Sequence, residues 1–491
     1  MDTQKTISQL QQFRAELYQL LTTRPDALLD LLDAVSGRPD ARSVVELSLS
    51  PLFRRGYSSI TDAIDAFFQA SQPDRAVAER QALNRDLARL IGRYLPTPQR
   101  RRFWLFGVDV VPVARPFART LPDRAFVYQP NPVGSNKPVT MGHAYSVVAF
   151  LPEKGQPDDP PWVVPLGVRR VQSHDTARVV GVEQLQALLD DDAQPFHEGF
   201  CVQVADSAYS GAGYLGPLGR QPNLVIVTRA ADNRVFYRQA SADPEASGVG
   251  HPTWYGTPCD LKDHATWGTP DDTAETTFTT QRGRTYRVQL LGWHNFLMRG
   301  KQTLPMHRYP FTLLRAVVLD EQGQPVFHRA LWLLVFGARR GDLSLVEAWD
   351  AYRQRYDLEH FFRFGKQRLL LAAYQTPDVE HEENWLTLVQ LASVQLWLGR
   401  DLAGIQLRPW ERYLPQRASG AASPSQVQRD WERIIRQIGT PAQPPKRRGN
   451  SAGRAQGTQP TRRLRQPVVK SQRALRQCKY QSDVNVQSQS G

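Results

Sequence analysis

The chain reads as an α/β protein with a mixed central sheet, a β-rich insertion and helices at both ends. Three observations predict this. Between residues 103 and 231, apolar runs of strand length surround one helix-period segment in the order β-β-β-α-β-β. Residues 232–340 then switch to alternating, aromatic-rich segments separated by Gly, Pro and Asp turns. Helical periodicity governs the first ~95 residues and returns near Ser344.

The elements follow in order. ISQLQQFRAELYQLL and DALLDLLDAV space their apolar residues as helices do, with a break at Arg24–Pro25. SVVELSLSPLF, SITDAIDAFFQA and the charged AVAERQALNRDLARLIGRYL complete a helical region, 1–98, closed by Pro96 and Pro98. A bundle of this size can bind DNA, although no helix-turn-helix spacing is evident. FWLFGVDVVPV, from residue 103, is apolar throughout except for Asp109, as a central strand is. HAYSVVAFLP (143–152), PWVVPLGVRRV (161–171), FCVQVADSAYSG (200–211) and NLVIVTRAA (223–231) are further strands, and VEQLQALLDD (182–191) is the helix among them. Together they give a core over 99–231. TYRVQLLGW (285–293), TLLRAVVL (312–319) and RALWLLVF (329–336) belong to the insertion, 232–340, with the last run returning to the main sheet. Residues 341–440 are helical, through NWLTLVQLASVQLWLGRDLAG (384–404) and SQVQRDWERIIRQI (425–438).

Composition narrows the class. The chain has 491 residues, 41% hydrophobic and 22% charged, which suits a globular protein of two or three domains. Cys201, Cys259 and Cys478 are scattered, with no CxxC pair and no zinc spacing, so a reducing compartment fits best. The opening MDTQKTISQL has no apolar signal core, and no apolar run approaches ~18 residues. The expectation is a cytoplasmic protein with no membrane partner.

The net charge of +13 is concentrated at one end. Residues 441–491 hold eleven Lys and Arg against Asp483, leaving +3 for the rest of the chain. The same segment is rich in Gln, Ser, Pro and Gly, so it is predicted to be a disordered basic tail. A flexible cationic arm has a polyanion as its natural partner, and Arg447, Arg448, Arg462, Arg463 and Arg465 are its candidate DNA-binding residues. A solubilising extension is the plainer alternative.

Chemistry concentrates in YRQRYDLEHFFRFGK, residues 352–366. On one continuous helix, Tyr352, Arg355, Glu359 and Lys366 would lie at roughly 0°, 300°, 340° and 320°. One narrow face would then carry a carboxylate, two cations and a phenol. That suits a metal-binding carboxylate beside phosphate-holding groups, although Arg355–Glu359 is also an ordinary i,i+4 pair. Asp109, in an apolar strand, must be paired or metal-bound to offset its desolvation. Taken alone it more often caps a helix or pairs with an Arg, and Asp206 at a strand end is equally ambiguous. Taken with Glu359, three acids on two strands and a helix could bind two divalent cations ~3.5–4 Å apart.

An α/β core with Asp, Asp and Glu, a β insertion before the Glu, and Tyr-x-x-Arg-x-x-x-Glu-x-x-x-x-x-x-Lys resembles the DDE transposases of bacterial insertion sequences, in the group with the Tyr-Arg-Glu-Lys signature. The resemblance covers residues 100–405, and ADSAYSG matches the second-acid segment. It implies a ribonuclease H-like core that uses two Mg²⁺ ions, with Mn²⁺ as a substitute, to cut element ends and join them to target DNA. Asp109, Asp206 and Glu359 would be the catalytic metal ligands, Asp109 bridging both ions. Tyr352, Arg355 and Lys366 would grip the DNA end. The implied partners are double-stranded DNA, as terminal inverted repeats and target, and a second copy of the chain. The implied setting is the bacterial cytoplasm, at the nucleoid. Some relatives stack a flipped base on a Trp of the insertion. Trp254, Trp267 and Trp293 are candidates, though a core role is the better expectation for each. The rival readings are an inactive, transposase-derived DNA-binding protein and a nuclease that cleaves without joining.

Other signals carry less. Gly213, Gly216 and Gly219 lack the Lys-Ser/Thr of a phosphate loop. VEHEENW (379–385) reads as an acidic helix start, not a metal site, because adjacent helical residues point apart. His174–Asp175 and His197–Glu198 have no nucleophile in a triad context.

Overall fold

The computed structural model describes residues 3–129, 138–156, 159–240, 254–280, 283–404, 422–446, 455–459 and 461–469. Its first half supplies β1 (Trp104–Ala114), β2 (Ala125–Tyr128), β3 (Val139–Phe150), β4 (Val164–Val171), β5 (Cys201–Ala205) and β6 (Leu224–Ala230). β1, β3 and β4 pair antiparallel, while β5 and β6 run parallel to β1. This is a ribonuclease H-like mixed sheet. β5 is buried at all five positions, as expected of a strand covered on both faces.

The insertion does more than return its last strand. β9 (Asp272–Thr279), β10 (Thr285–Phe296), β11 (Phe311–Leu319) and β12 (Leu331–Phe336) all join the main sheet, giving the order β2-β3-β1-β5-β6-β12-β11-β10-β9 with β4 also on β3. The reason is visible in β12: LWLLVF is buried at five of six positions and pairs antiparallel with β6. β9 closes the far edge with mostly polar, part-exposed residues. Only β7 (Val235–Gln239) and β8 (Tyr255–Asp260) form a sheet of their own among the described residues.

Helices cover both faces of the core. α5 (Ala177–Leu189) and α6 (Ala212–Leu218) lie on one, and α7 (Leu345–Gln354) and α8 (Tyr356–Arg368) on the other. The remaining helices are α1 (Thr3–Leu20), α2 (Pro25–Gly37), α3 (Ser58–Ala66), α4 (Ala76–Gly92), α9 (Val379–Leu398) and α10 (Pro424–Ile438). Helices from the two ends of the chain share a core. Arg14 of α1 pairs with Asp33 of α2 at 2.5 Å and donates to Gln395 of α9 at 2.9 Å, all buried. No helix among the described residues is long and apolar enough to cross a membrane.

The start of α9 is more than an acidic turn. Glu382 is fully buried and accepts from Arg115 Nε (2.6 Å), His143 Nδ1 (2.8 Å) and the Tyr145 hydroxyl (2.7 Å). His143 Nε2 also faces the Pro122 carbonyl at 3.0 Å, so both ring nitrogens meet acceptors. Burial alone would raise the Glu382 pKa, but the His143 hydrogen bond and the Arg115 charge outweigh it and hold the carboxyl below its ordinary range. Glu383 pairs with Arg170 at 2.8 Å and His381 with Asp65 at 2.8 Å. The cluster ties the helical body to β1 and β3.

Part of the tail also departs from the free arm predicted for it. Val469 bridges to Ala125 beside β2, and the Gln466 and Val469 amides donate to the carbonyls of Arg119 (2.9 Å) and Arg124 (2.8 Å). Arg463 forms a two-pronged ion pair with Asp378, at 2.8 and 3.1 Å, while Arg462 and Arg465 remain exposed. Backbone hydrogen bonds at an open sheet edge account for this seating. Arg447 and Arg448 lie outside the described residues.

Candidate active site

Gly107 sets where α8 can lie. A Cβ on this glycine would sit 2.7 Å from Leu358 Cδ1, so the missing side chain lets the helix press onto β1. Asp109 is two residues further along the same strand and therefore on the same face. β1 pairs with β5 up to Gly107–Val204. Continuing that register two residues brings Asp109 level with Asp206, on strands ~4.8 Å apart. Asp206 caps the 3-10 turn Ser207–Tyr209, accepting from the Ala208 amide at 2.8 Å. Glu359 follows Leu358 on α8.

Arg355 links two of these acids. Its guanidinium lies 3.5 Å from Asp109 Oδ2 and 2.9 Å from Glu359 Oε1. Asp109 is pushed up to about 6, first by burial and further by the charges of Asp206 and Glu359. The Val110 amide, 2.7 Å from Oδ1, and Arg355 oppose the rise. The three carboxylates therefore lie within electrostatic reach of one another. No three His, Cys, Asp or Glu side chains among the described residues stand at metal-ligand spacing; Arg355 supplies positive charge between two of them instead. The donor set still fits hard divalent cations, being three carboxylates of which one is largely desolvated and carries too little countercharge.

The segment predicted as one helix is two. α7 ends at Gln354 and α8 begins at Tyr356, with Arg355 in a tight turn whose amide donates to the Tyr352 carbonyl at 3.1 Å. Side chains pin the chain on both sides of this turn: Gln354 donates to the Pro152 carbonyl (2.6 Å), and Asp357 receives Lys154 (2.9 Å). Arg355 nevertheless lies over the Tyr352 ring, 5.8 Å from its centroid. Tyr352 is largely buried, and burial raises its phenol pKa. It supports Arg355 from below more than it offers a surface. Lys366 is exposed two turns beyond Glu359.

Two further cations border the site. Ala205 pairs with Thr228, so the next step of the register sets exposed Arg229 of β6 beside Asp206. Arg178, in the first turn of α5, reaches the Asp206 loop from the opposite face. Sequence reasoning singled out neither: Arg229 closes an apolar strand run, and its place beside Asp206 follows only from the parallel register, while Arg178 had no sequence signal. Of the insertion tryptophans, Trp293 is a core residue whose Nε1 donates to the Gly268 carbonyl at 3.2 Å. Trp267 is half-buried under Arg315, 5.0 Å from its ring. Trp254 departs from the core expectation: it is 46% exposed and stacks on His307 at 4.4 Å.

The family model described as DDE superfamily endonuclease matches residues 16–290, more than half of the chain. That stretch holds Asp109 and Asp206 and ends before Glu359. No curated protein matches the chain. A ribonuclease H-like sheet and the family match agree, and the chain belongs to the DDE superfamily endonucleases, whose substrate is DNA.

Proposed function

We propose that this protein is a DNA transposase of the Tyr-Arg-Glu-Lys group, which cuts at the ends of an insertion element and joins the freed ends to target DNA. The observation that carries the reading is that Arg355 spans Asp109 and Glu359 while the strand register and charge coupling bring Asp206 beside Asp109, at the ends of two parallel strands and on the helix over them. A protein that only bound DNA would have no use for a buried Asp109 raised further by the charges of two neighbouring acids.

Asp109, Asp206 and Glu359 would hold two divalent ions, Mg²⁺ or Mn²⁺. Such ions, when bound, stabilise charge on the entering and leaving oxygens of a phosphodiester. The burial of Asp109 keeps bulk water from screening that charge. Arg355, backed by Tyr352, and exposed Lys366 would hold the phosphates of the element end as a point-charge and fork pair. Hydrolysis breaks a P–O3′ bond and releases a 3′-hydroxyl. That hydroxyl then gives up its proton and forms a new P–O bond in the target, displacing a target 3′-oxygen. Each step exchanges one oxygen for another at phosphorus, so one site serves both. Two copies of the chain would hold the two ends, in the bacterial cytoplasm. The helical region 1–98, the core 99–231, the insertion 232–340, the helices 341–440 and the basic tail 441–491 would be its working parts.

The test is strand transfer. Labelled DNA carrying the flanks of the source locus is incubated with the protein, Mg²⁺ and a plasmid. Label joined to the plasmid supports transposition. Cleavage without joining would favour the nuclease reading, and binding with neither would favour an inactive relative.

A further inference from the structure

The acids are flanked from both faces of the sheet. α8 approaches from the Gly107 side. α5 covers the other, where a Cβ on Gly181 would stand 3.2 Å from Val108 Cγ1 and 3.5 Å from the Tyr209 ring. Arg178, at the start of α5, is exposed, and no described residue pairs with it. Its guanidinium comes within 3.5 Å of where a Cβ on Gly211 would be, so it stands over the loop that begins at Asp206. Tyr209, in that loop, is 2% exposed, and its hydroxyl is buried without a hydrogen-bond partner. Arg178, Asp109 and Asp206 all lie within electrostatic reach of that hydroxyl. Tyr209 packs beneath α5 and under the segment that follows Asp206, so the group that faces outward on this side is Arg178.

The loop is low. Ser207, Ala208 and Gly213 are exposed and small, and nothing lies within 4 Å of the side-chain position of Gly213. A duplex can approach the strand ends here without meeting bulk. The reaction geometry gives this side a purpose. In an in-line displacement the entering and leaving oxygens lie on opposite sides of phosphorus. In joining, this sets the element's entering 3′-oxygen opposite the target's leaving 3′-oxygen. In cleavage, where the entering oxygen is water's, the duplex continues past the phosphate into the flank. Both reactions therefore need a holder for backbone beyond the element end. Arg355 and Lys366 occupy the α8 side.

We propose that Arg178, standing over the low exposed surface of Ser207, Ala208 and Gly213, forms the second wall of the DNA channel and holds the backbone beyond the reacting bond, the flank during cleavage and the target during joining. This rests on the transposase reading above.

The test compares full-length wild type, Arg178→Ala, Arg178→Lys and Lys366→Ala, with Ca²⁺ present to permit binding without cutting. Two duplexes are used, one stopping at the cleavage point and one running through it into the flank. Arg178→Ala should bind the stopped duplex within about twofold of wild type and the continuous one about five- to tenfold more weakly. Its log–log salt slope on the continuous duplex should fall by about 0.9, the value for one lost phosphate contact. Arg178→Lys should recover most of the loss, and Lys366→Ala should weaken both duplexes. An unchanged slope in Arg178→Ala, or an equal loss on both duplexes, overturns the proposal. Salt dependence on unrelated plasmid DNA separates the two claims: a reduced slope in Arg178→Ala there, with no cleavage by wild type on correct ends, keeps the DNA wall and removes the transposase reading.

Discussion

Arg355 lies 2.9 Å from Glu359 and 3.5 Å from Asp109, so one guanidinium spans two of the three acids. A cation in that position competes with any metal ion for the same carboxylates. A DNA phosphate would draw the guanidinium away and free them. Arg355→Gln should therefore bind Mn²⁺ several-fold more tightly than wild type without DNA, while losing affinity for element ends. Mn²⁺ titration followed by electron paramagnetic resonance checks this; weaker Mn²⁺ binding in the variant would mean that Arg355 only positions the acids.

The raised pKa of Asp109 makes a pH prediction for the metal-free protein. Its folded value of about 6 exceeds the ordinary 3.8, so the folded state holds the proton more tightly than the unfolded chain. Its contribution to stability therefore falls as pH rises from about 4 to 6, and the cost is complete above 6. Asp109→Asn escapes that cost. In EDTA it should be more stable than wild type by on the order of 1–3 kcal/mol at pH 7 and about equal at pH 4. Urea unfolding at the two pH values measures the difference.

Gly107 separates folding from function. Gly107→Ala places a methyl group 2.7 Å from Leu358 Cδ1, and either the leucine or α8 must shift. The expected cost is about 1–3 kcal/mol in stability. Cleavage should fall further, by about a hundredfold, because Glu359 rides on the same helix. Thermal melts and single-turnover cleavage on one preparation give both numbers.

The buried tie at Glu382 predicts a purely structural defect. Glu382→Ala takes the carboxylate from the buried Arg115 guanidinium and leaves the Tyr145 hydroxyl and His143 Nδ1 without their acceptor, which should cost about 3–5 kcal/mol. Any protein that remains folded should keep wild-type metal affinity, since Glu382 belongs to none of the site groups.

The seated tail distinguishes two truncations. Ending the chain after Val469 keeps the contacts at β2, whereas ending it after Gln459 removes them. The shorter chain should also lose thermal stability, because the buried Arg124 loses its contact with the Gln466 carbonyl. Calorimetry on the two truncations decides whether residues 461–469 are structural.

The strands were legible because β1, β5 and β6 are mostly apolar runs of strand length, and the acids stood out against them. The two-helix form of residues 345–368 was not, since no Gly or Pro marks the turn at Arg355 and its anchors, Pro152 and Lys154, are about 200 residues away. VEHEENW does start a helix with acids in its first turn, but the burial of Glu382 was hidden for the same reason: Arg115 is 267 residues distant, and nothing local distinguishes a buried acid from a solvated one. The insertion was recognised as β and its last run, β12, was expected back in the main sheet; that β11, β10 and β9 follow it there depends on strand pairings that periodicity does not encode. Register placed Arg229 beside Asp206, a relation available only once β5 and β6 are known to be parallel.

The central claim is that Asp109, Asp206 and Glu359 form one metal-dependent centre. It is tested most directly by cleavage of labelled element-end DNA by wild type, Asp109→Asn, Asp206→Asn and Glu359→Gln, each with Mg²⁺ and with EDTA, alongside DNA binding. Cleavage by wild type that requires Mg²⁺ and is lost in all three variants, with binding retained, is the predicted result. Mg²⁺-dependent cleavage that survives in any one variant would contradict the three-acid site.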